Sequence, residues 1–117
     1  MVSESQPAFD LSFITMQWGD VRDEVFRSVL AFFVDDVSSL SAEMHAAVAA
    51  GQMTTLLRAT HTLRGAAANV GAMTLAASVA ALEDAASDGL SDQLDGRLAD
   101  MQAASDRVLE VIAAGGP

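Results

Sequence analysis

No proline interrupts residues 8–116, and twenty-three alanines are spread through that stretch, so glycine is the only strong helix breaker in it. Long alternations of Val, Ile or Thr with polar residues, as half-buried strands require, are absent. The expected fold class is therefore all-α, with the glycines marking where helices stop. The longest candidate runs from Asp20 to Ala50: Asp20 is placed to cap it, and Val25, Val29, Phe33, Val37, Leu40, Met44 and Val48 recur at spacings of three and four until Gly51. A second helix is predicted from Met53 to Val70, its inner face carrying Met53, Leu56, Thr60, Leu63, Ala67 and Val70, with Gly71 beyond it. The third runs from Ala72 to Ser87 on Leu75, Val79, Leu82 and Ala86, before the turn chemistry of Ser87, Asp88 and Gly89. The last begins near Ser91 and carries Leu94, Leu98, Met101, Ser105, Val108 and Ile112, ending in a tail, residues 113–117, expected to fray. Ser105, the polar member of that stripe, is expected to bond the carbonyl four residues back.

Four such stripes joined by short turns predict an antiparallel four-helix bundle in one domain, residues 1–117. Residues 1–19 are expected to cap it, with Phe9 to Ile14 forming a short extra helix and Trp18 closing one end. A chain of 117 residues, 51% of them hydrophobic, is large enough to bury a core and too short for a second domain. It contains no cysteine, which excludes disulfides, zinc–thiolate sites and a thiol nucleophile. The first nine residues hold no basic region leading into an apolar run, so no secretory signal is read and a cytoplasmic location is expected. Gly65 to Leu82 is free of charge, but its small and polar residues do not make a membrane span.

Six arginines, no lysine and sixteen acids give a formal net charge of −10. Nucleic acid and anionic membrane surfaces, which demand clustered cations, are excluded as partners. The distribution is more informative than the sum. Eight acids lie in residues 1–43 and eight in 83–117, leaving each segment at −6, whereas residues 44–82 hold no acid and carry Arg58, Arg64 and both histidines. That middle segment is formally +2, which reads either as an Ala-rich stretch that happens to lack acids or as a region where something anionic must be tolerated.

His61 lies one position past the inner Thr60, turned about 100° from the core stripe towards the flank of its helix. Arg64 and Gly65, three and four residues on, stand over the same patch. If the second and third helices form a hairpin about residue 72, Glu83 is as far from the turn as His61, and it too lies one past an inner residue, Leu82. A carboxylate there is placed to accept the Nδ1 proton of His61, fix the tautomer and leave Nε2 outward as a nucleophile. His45 has no partner at metal-ligand spacing and reads as a surface residue. Arg58 is either near the same patch or simply solvated.

The segment His61-Thr62-Leu63-Arg64-Gly65-Ala66-Ala67-Ala68-Asn69-Val70-Gly71 resembles the signature of histidine-containing phosphotransfer (HPt) domains, with a basic residue at +3 from the histidine, Gly at +4 and Gly at +10. Leu82-Glu83-Asp84-Ala85-Ala86 is similar to the family's second block, in which a Glu or Gln hydrogen-bonds the active imidazole. The resemblance extends over essentially the whole chain, because the family is a four-helix bundle of this size.

The resemblance implies a phosphorelay carrier, not an enzyme with its own ATP site. His61 would accept a phosphoryl group at Nε2 from a receiver phospho-aspartate or a kinase and pass it to the aspartate of another receiver. Arg64 would stabilise the phosphoryl charge, Gly65 would allow close approach and Glu83 would orient the imidazole. The implied partners are response-regulator receiver domains and a (hybrid) histidine kinase. No cofactor or metal of its own is implied, since Mg²⁺ would come with the receiver, and the chain is expected to act as a monomer. Two departures stand out: Arg64 replaces the family's usual Lys, and Ala66 and Ala67 stand where Ser is common. Two alternatives also fit a helical chain. One is the dimerising phosphoacceptor hairpin of a sensor kinase, although Thr62 and Ala66 stand where that motif has an acid and a proline. The other is a helical adaptor without phosphoryl chemistry.

Overall fold

A computed structural model describes residues 7–117. Among these residues α-helices follow one another as α1 (Leu11–Trp18), α2 (Glu24–Ala50), α3 (Met53–Asn69), α4 (Met73–Ser87) and α5 (Leu94–Ala113), with a 3₁₀ turn at Ser91–Gln93 leading into α5. There is no strand among the described residues. Helix α2 packs on α3, α3 on α4, α4 on α5 and α5 back on α2, which closes the four-helix bundle around one core. Fully buried Phe26, Met44, Leu56, Leu63, Leu75, Leu82 and Met101 fill its centre. The stripes predicted for α3 and α4 face this core, except that Met53 is only half-buried.

The start of α2 differs from expectation. Asp20 does not cap the helix, because its carboxylate is occupied by the backbone N–H of Arg22 at 2.8 Å and by the Arg22 guanidinium. Those contacts, the backbone one first, hold the Asp20 carboxyl below its usual range. The cap is Asp23, whose Oδ1 accepts from the backbone N–H groups of Val25 at 2.8 Å and Phe26 at 3.3 Å. The buried face is correspondingly rotated by one residue at several turns: Phe26, Leu30, Phe33, Val37, Ser41, Met44 and Ala47 point inward. Val25 is exposed, and Val29, Leu40 and Val48 are only half-buried. A phenylalanine ring offers more apolar area than a valine, so the phase that buries Phe26 prevails.

Other differences from expectation concern α5 and the residues after it. The Ser105 hydroxyl donates to the Met101 thioether at 3.3 Å rather than to a carbonyl, and buried Ser41 of α2 reaches the same sulfur at 3.8 Å. Residues 114–116, expected to fray, are hydrogen-bonded to the end of α5, and Arg27 of α2 donates to the Gly115 carbonyl at 3.0 Å. Ile112 is only half-buried.

Helix α1 lies over the α3–α4 turn. The Asp10 N–H donates to the Gly71 carbonyl at 2.8 Å, and the Trp18 indole N–H donates to the Asn69 carbonyl at 2.9 Å while its ring packs on Phe26. Thr74 of α4 completes the attachment by donating to the Pro7 carbonyl at 3.1 Å. Gly71 is required here on two counts. Its φ is +76°, and a Cβ would come within 2.8 Å of Ile14 Cγ1. The first six residues of the expected N-terminal cap lie outside the described residues.

Candidate functional site

Helix α3 presents its site residues because Leu56, Thr60, Leu63 and Ala67 commit one face to the core. Thr60, buried as expected, satisfies its hydroxyl on the carbonyls of Leu56 and Leu57. Its neighbour His61 is thereby turned outward, with 81% of its side chain exposed. The reversal at Gly71 and Ala72, closed by an Ala72 N–H donating to the Ala67 carbonyl at 2.8 Å, brings α4 back alongside. Glu83 then stands opposite His61, with its side chain only 15% exposed against the α3–α4 seam.

The structure brings His61, Arg64 and Glu83 together. His61 Nδ1 faces Glu83 Oε2 at 3.5 Å, beyond the usual length of a hydrogen bond, and Arg64 Nη1 donates to Glu83 Oε1 at 2.6 Å. One carboxylate is therefore shared between an imidazole and a guanidinium three residues apart on one helix face. The Arg64–Glu83 contact was not anticipated from the sequence. The signal was present: Arg64 is one turn from His61, and a guanidinium on a long stem reaches any carboxylate level with that turn.

Gly65 adjoins this group. Its conformation is ordinary helix, and a Cβ built on it meets nothing within 4 Å. The chain's own packing thus does not demand glycine there, and the outer side of α3 next to His61 is open. Arg58, one turn before His61, lies 3.9 Å from Glu43 of α2. Both arginines of the acid-free segment accordingly face a carboxylate supplied by a neighbouring helix, and the +2 read from the sequence is cancelled locally in space. His45 sits apart on α2, where its Nε2 is 2.8 Å from Gln102 Oε1 of α5. Among the described residues no group of three or more His, Asp or Glu is arranged to hold a metal ion, and no helix is long and apolar enough to cross a membrane.

The family model for the Hpt domain matches residues 28–113, which includes α3, α4, α5 and most of α2. The chain belongs to the Hpt domain family. Hpt domains serve histidine phosphotransfer in phosphorelays, where they deal with receiver domains and histidine kinases as phosphoryl carriers rather than as catalysts. No curated protein and no solved structure matches this Hpt domain. In it the histidine, the basic residue and the glycine of the motif share one flank of α3, and the acid of the second block comes to them from α4.

Proposed function

We propose that this Hpt domain carries a phosphoryl group on His61 Nε2, between a phospho-aspartyl receiver or kinase and the aspartate of another receiver. The observation that carries this reading is the pairing of an exposed imidazole with a largely sheltered carboxylate on its Nδ1 side. Nδ1–H directed at Glu83 leaves the Nε2 lone pair facing solvent, which is the orientation a nucleophile needs. In the transfer, a bond forms from Nε2 to phosphorus and the bond from phosphorus to the donor's carboxyl oxygen breaks. The electron pair leaves with the donor aspartate. The Nδ1 proton stays on the ring, which becomes cationic and is stabilised by Glu83, and the second receiver reverses the step. Arg64 supplies positive charge beside the phosphoryl oxygens, and Gly65 leaves room for the partner to approach. The Mg²⁺ that such transfers use is held by the receiver. This reading puts the protein in the cytoplasm with its partners, as a monomer.

Incubation with phosphorylated receiver domains should give an acid-labile, base-stable label on the native protein and none on His61→Gln. Label on another residue, or none from any receiver of the same organism, would sink the assignment. Glu83→Ala should slow transfer about tenfold or more, as expected from losing one hydrogen bond to a charged group, with the helical circular dichroism unchanged. Transfer at the native rate would remove Glu83 from its role.

A further inference from the structure

The 2.6 Å contact between Arg64 Nη1 and Glu83 Oε1 creates a conflict within the proposed chemistry. A guanidinium hydrogen-bonded to this carboxylate is not directed at a phosphoryl group on the far nitrogen of His61. The carboxylate it occupies is also the one that faces His61 Nδ1, at 3.5 Å. Resting, with histidine counted neutral, the three side chains carry no net formal charge, the Arg64 guanidinium offsetting the Glu83 carboxylate. Phosphorylation adds roughly two negative charges at Nε2 and leaves the ring positive at Nδ1–H. Were Arg64 to remain in place, the phosphoryl dianion would lie near a carboxylate with only the ring it is bonded to as counter-charge, and that ring would share Glu83 with the guanidinium, Oε2 facing the imidazole and Oε1 the arginine. Exchanging partners gives every charge a counter-ion: Arg64 with the phosphoryl oxygens, and Glu83 with Nδ1–H.

The exposures decide which group moves. Glu83 is 15% exposed and fixed at the helix seam, whereas Arg64 is half exposed on a long flexible stem and lies one turn from His61 on the same face. From this we propose that Arg64 is a two-position counter-ion. In the resting protein it holds Glu83 and keeps the His61 Nδ1 contact long. In the phosphorylated protein it moves to the phosphoryl oxygens and hands Glu83 to Nδ1–H. Arg64 is thus a positioning residue for the imidazole, acting through Glu83, as well as a neighbour of the transferred group. The proposal rests on the reading of His61 as the acceptor.

The test is nitrogen and proton NMR of the arginine and histidine side chains in the full chain, before and after phosphorylation by phosphoramidate. In resting protein the Arg64 guanidinium signals should shift in Glu83→Gln. The His61 Nδ1–H proton should move downfield in Arg64→Gln, as its bond to Glu83 shortens, and Arg64→Lys should restore the native position. After phosphorylation the Arg64 signals should move and become insensitive to Glu83→Gln. Phosphohistidine lifetime should fall severalfold in Arg64→Gln and recover in Arg64→Lys. Arg64 signals that stay unchanged on phosphorylation, or remain sensitive to Glu83→Gln in the labelled protein, would overturn the handover while leaving His61 as acceptor. Absence of label on His61 would overturn the acceptor reading and the handover together. Glu83→Gln preserves side-chain shape, and backbone spectra check that each variant is folded.

Discussion

At the scale of single residues, Glu83 and Gly65 contrast in what they place at the candidate site. Glu83 comes from α4, is largely sheltered, and meets two side chains of α3 at once. Gly65 contributes only the absence of a side chain, and nothing in the protein fills the space a Cβ would occupy. A glycine inside a helix costs about 1 kcal/mol relative to alanine, so a position with free space and no unusual φ gains stability from any good helix former. Gly65→Leu is therefore expected to melt at a higher temperature than the native protein and to accept a phosphoryl group from phosphoramidate, while transfer from a receiver domain falls at least about tenfold as the leucine obstructs approach. A thermal melt and the two labelling assays check this, and unimpaired transfer from the receiver would show that the open flank is not an approach route. The level placement of His61 and Glu83 was legible in the sequence, because equal distance from a helical turn fixes height. The Arg64–Glu83 contact was legible only as a reach, since helix periodicity puts Arg64 within range of a carboxylate level with His61 but does not say which group takes which carboxylate oxygen.

At the scale of elements, the alignment of α3 with α4 depends on the turn between them, and that turn is secured from outside by α1. Backbone and indole N–H groups of α1 and its cap bond to the carbonyls of Gly71 and Asn69, and Ile14 fills the space beside Gly71. Gly71→Ala must adopt a left-handed conformation and also displace Ile14 or the turn, so it should destabilise the protein by about 2 kcal/mol or more in urea unfolding. Because α1 would be displaced with it, the indole fluorescence of Trp18 should change under conditions where the bundle remains helical. A native-like midpoint would show that the turn relaxes without cost. The glycine punctuation made the helix count and the α3–α4 hairpin readable to within a residue or two. The start of α2 departs from the sequence expectation for a specific reason. Capping preference belongs to the residue type and does not separate Asp20 from the observed cap Asp23; the diversion of Asp20 to Arg22 does. Choosing the wrong cap brings Val25 inward in place of Phe26, which is how a one-residue phase error arises in a helix with apolar side chains at adjacent positions.

At the scale of the whole molecule, three buried hydroxyls interrupt the apolar core among the described residues: Thr60 bonds to carbonyls of its own helix, whereas Ser41 and Ser105 converge on the Met101 sulfur, a contact that joins α2 to α5. Such a pairing is invisible in a stripe of periodic residues, since sulfur is a weak acceptor and no spacing rule selects it. The charge pattern was legible as three blocks along the chain but not as a surface. Folding brings Glu43 and Glu83 to the arginines of the middle block. That cancellation governs encounter rates. A phosphoryl donor is itself an anion, and with the local cations already compensated it meets the field of a protein of net charge −10. At low ionic strength the field extends about 30 Å and repels the donor; near 0.15 M it shrinks to about 8 Å. The labelling rate of His61 by phosphoramidate should accordingly rise severalfold as salt is added from 0.01 to 0.15 M, the reverse of electrostatic steering by a basic patch. A rate that falls over this range would mean that Arg58 and Arg64 attract anions despite their carboxylate neighbours. A carrier with this salt response gains little from long-range attraction and selects its donors by contact at short range.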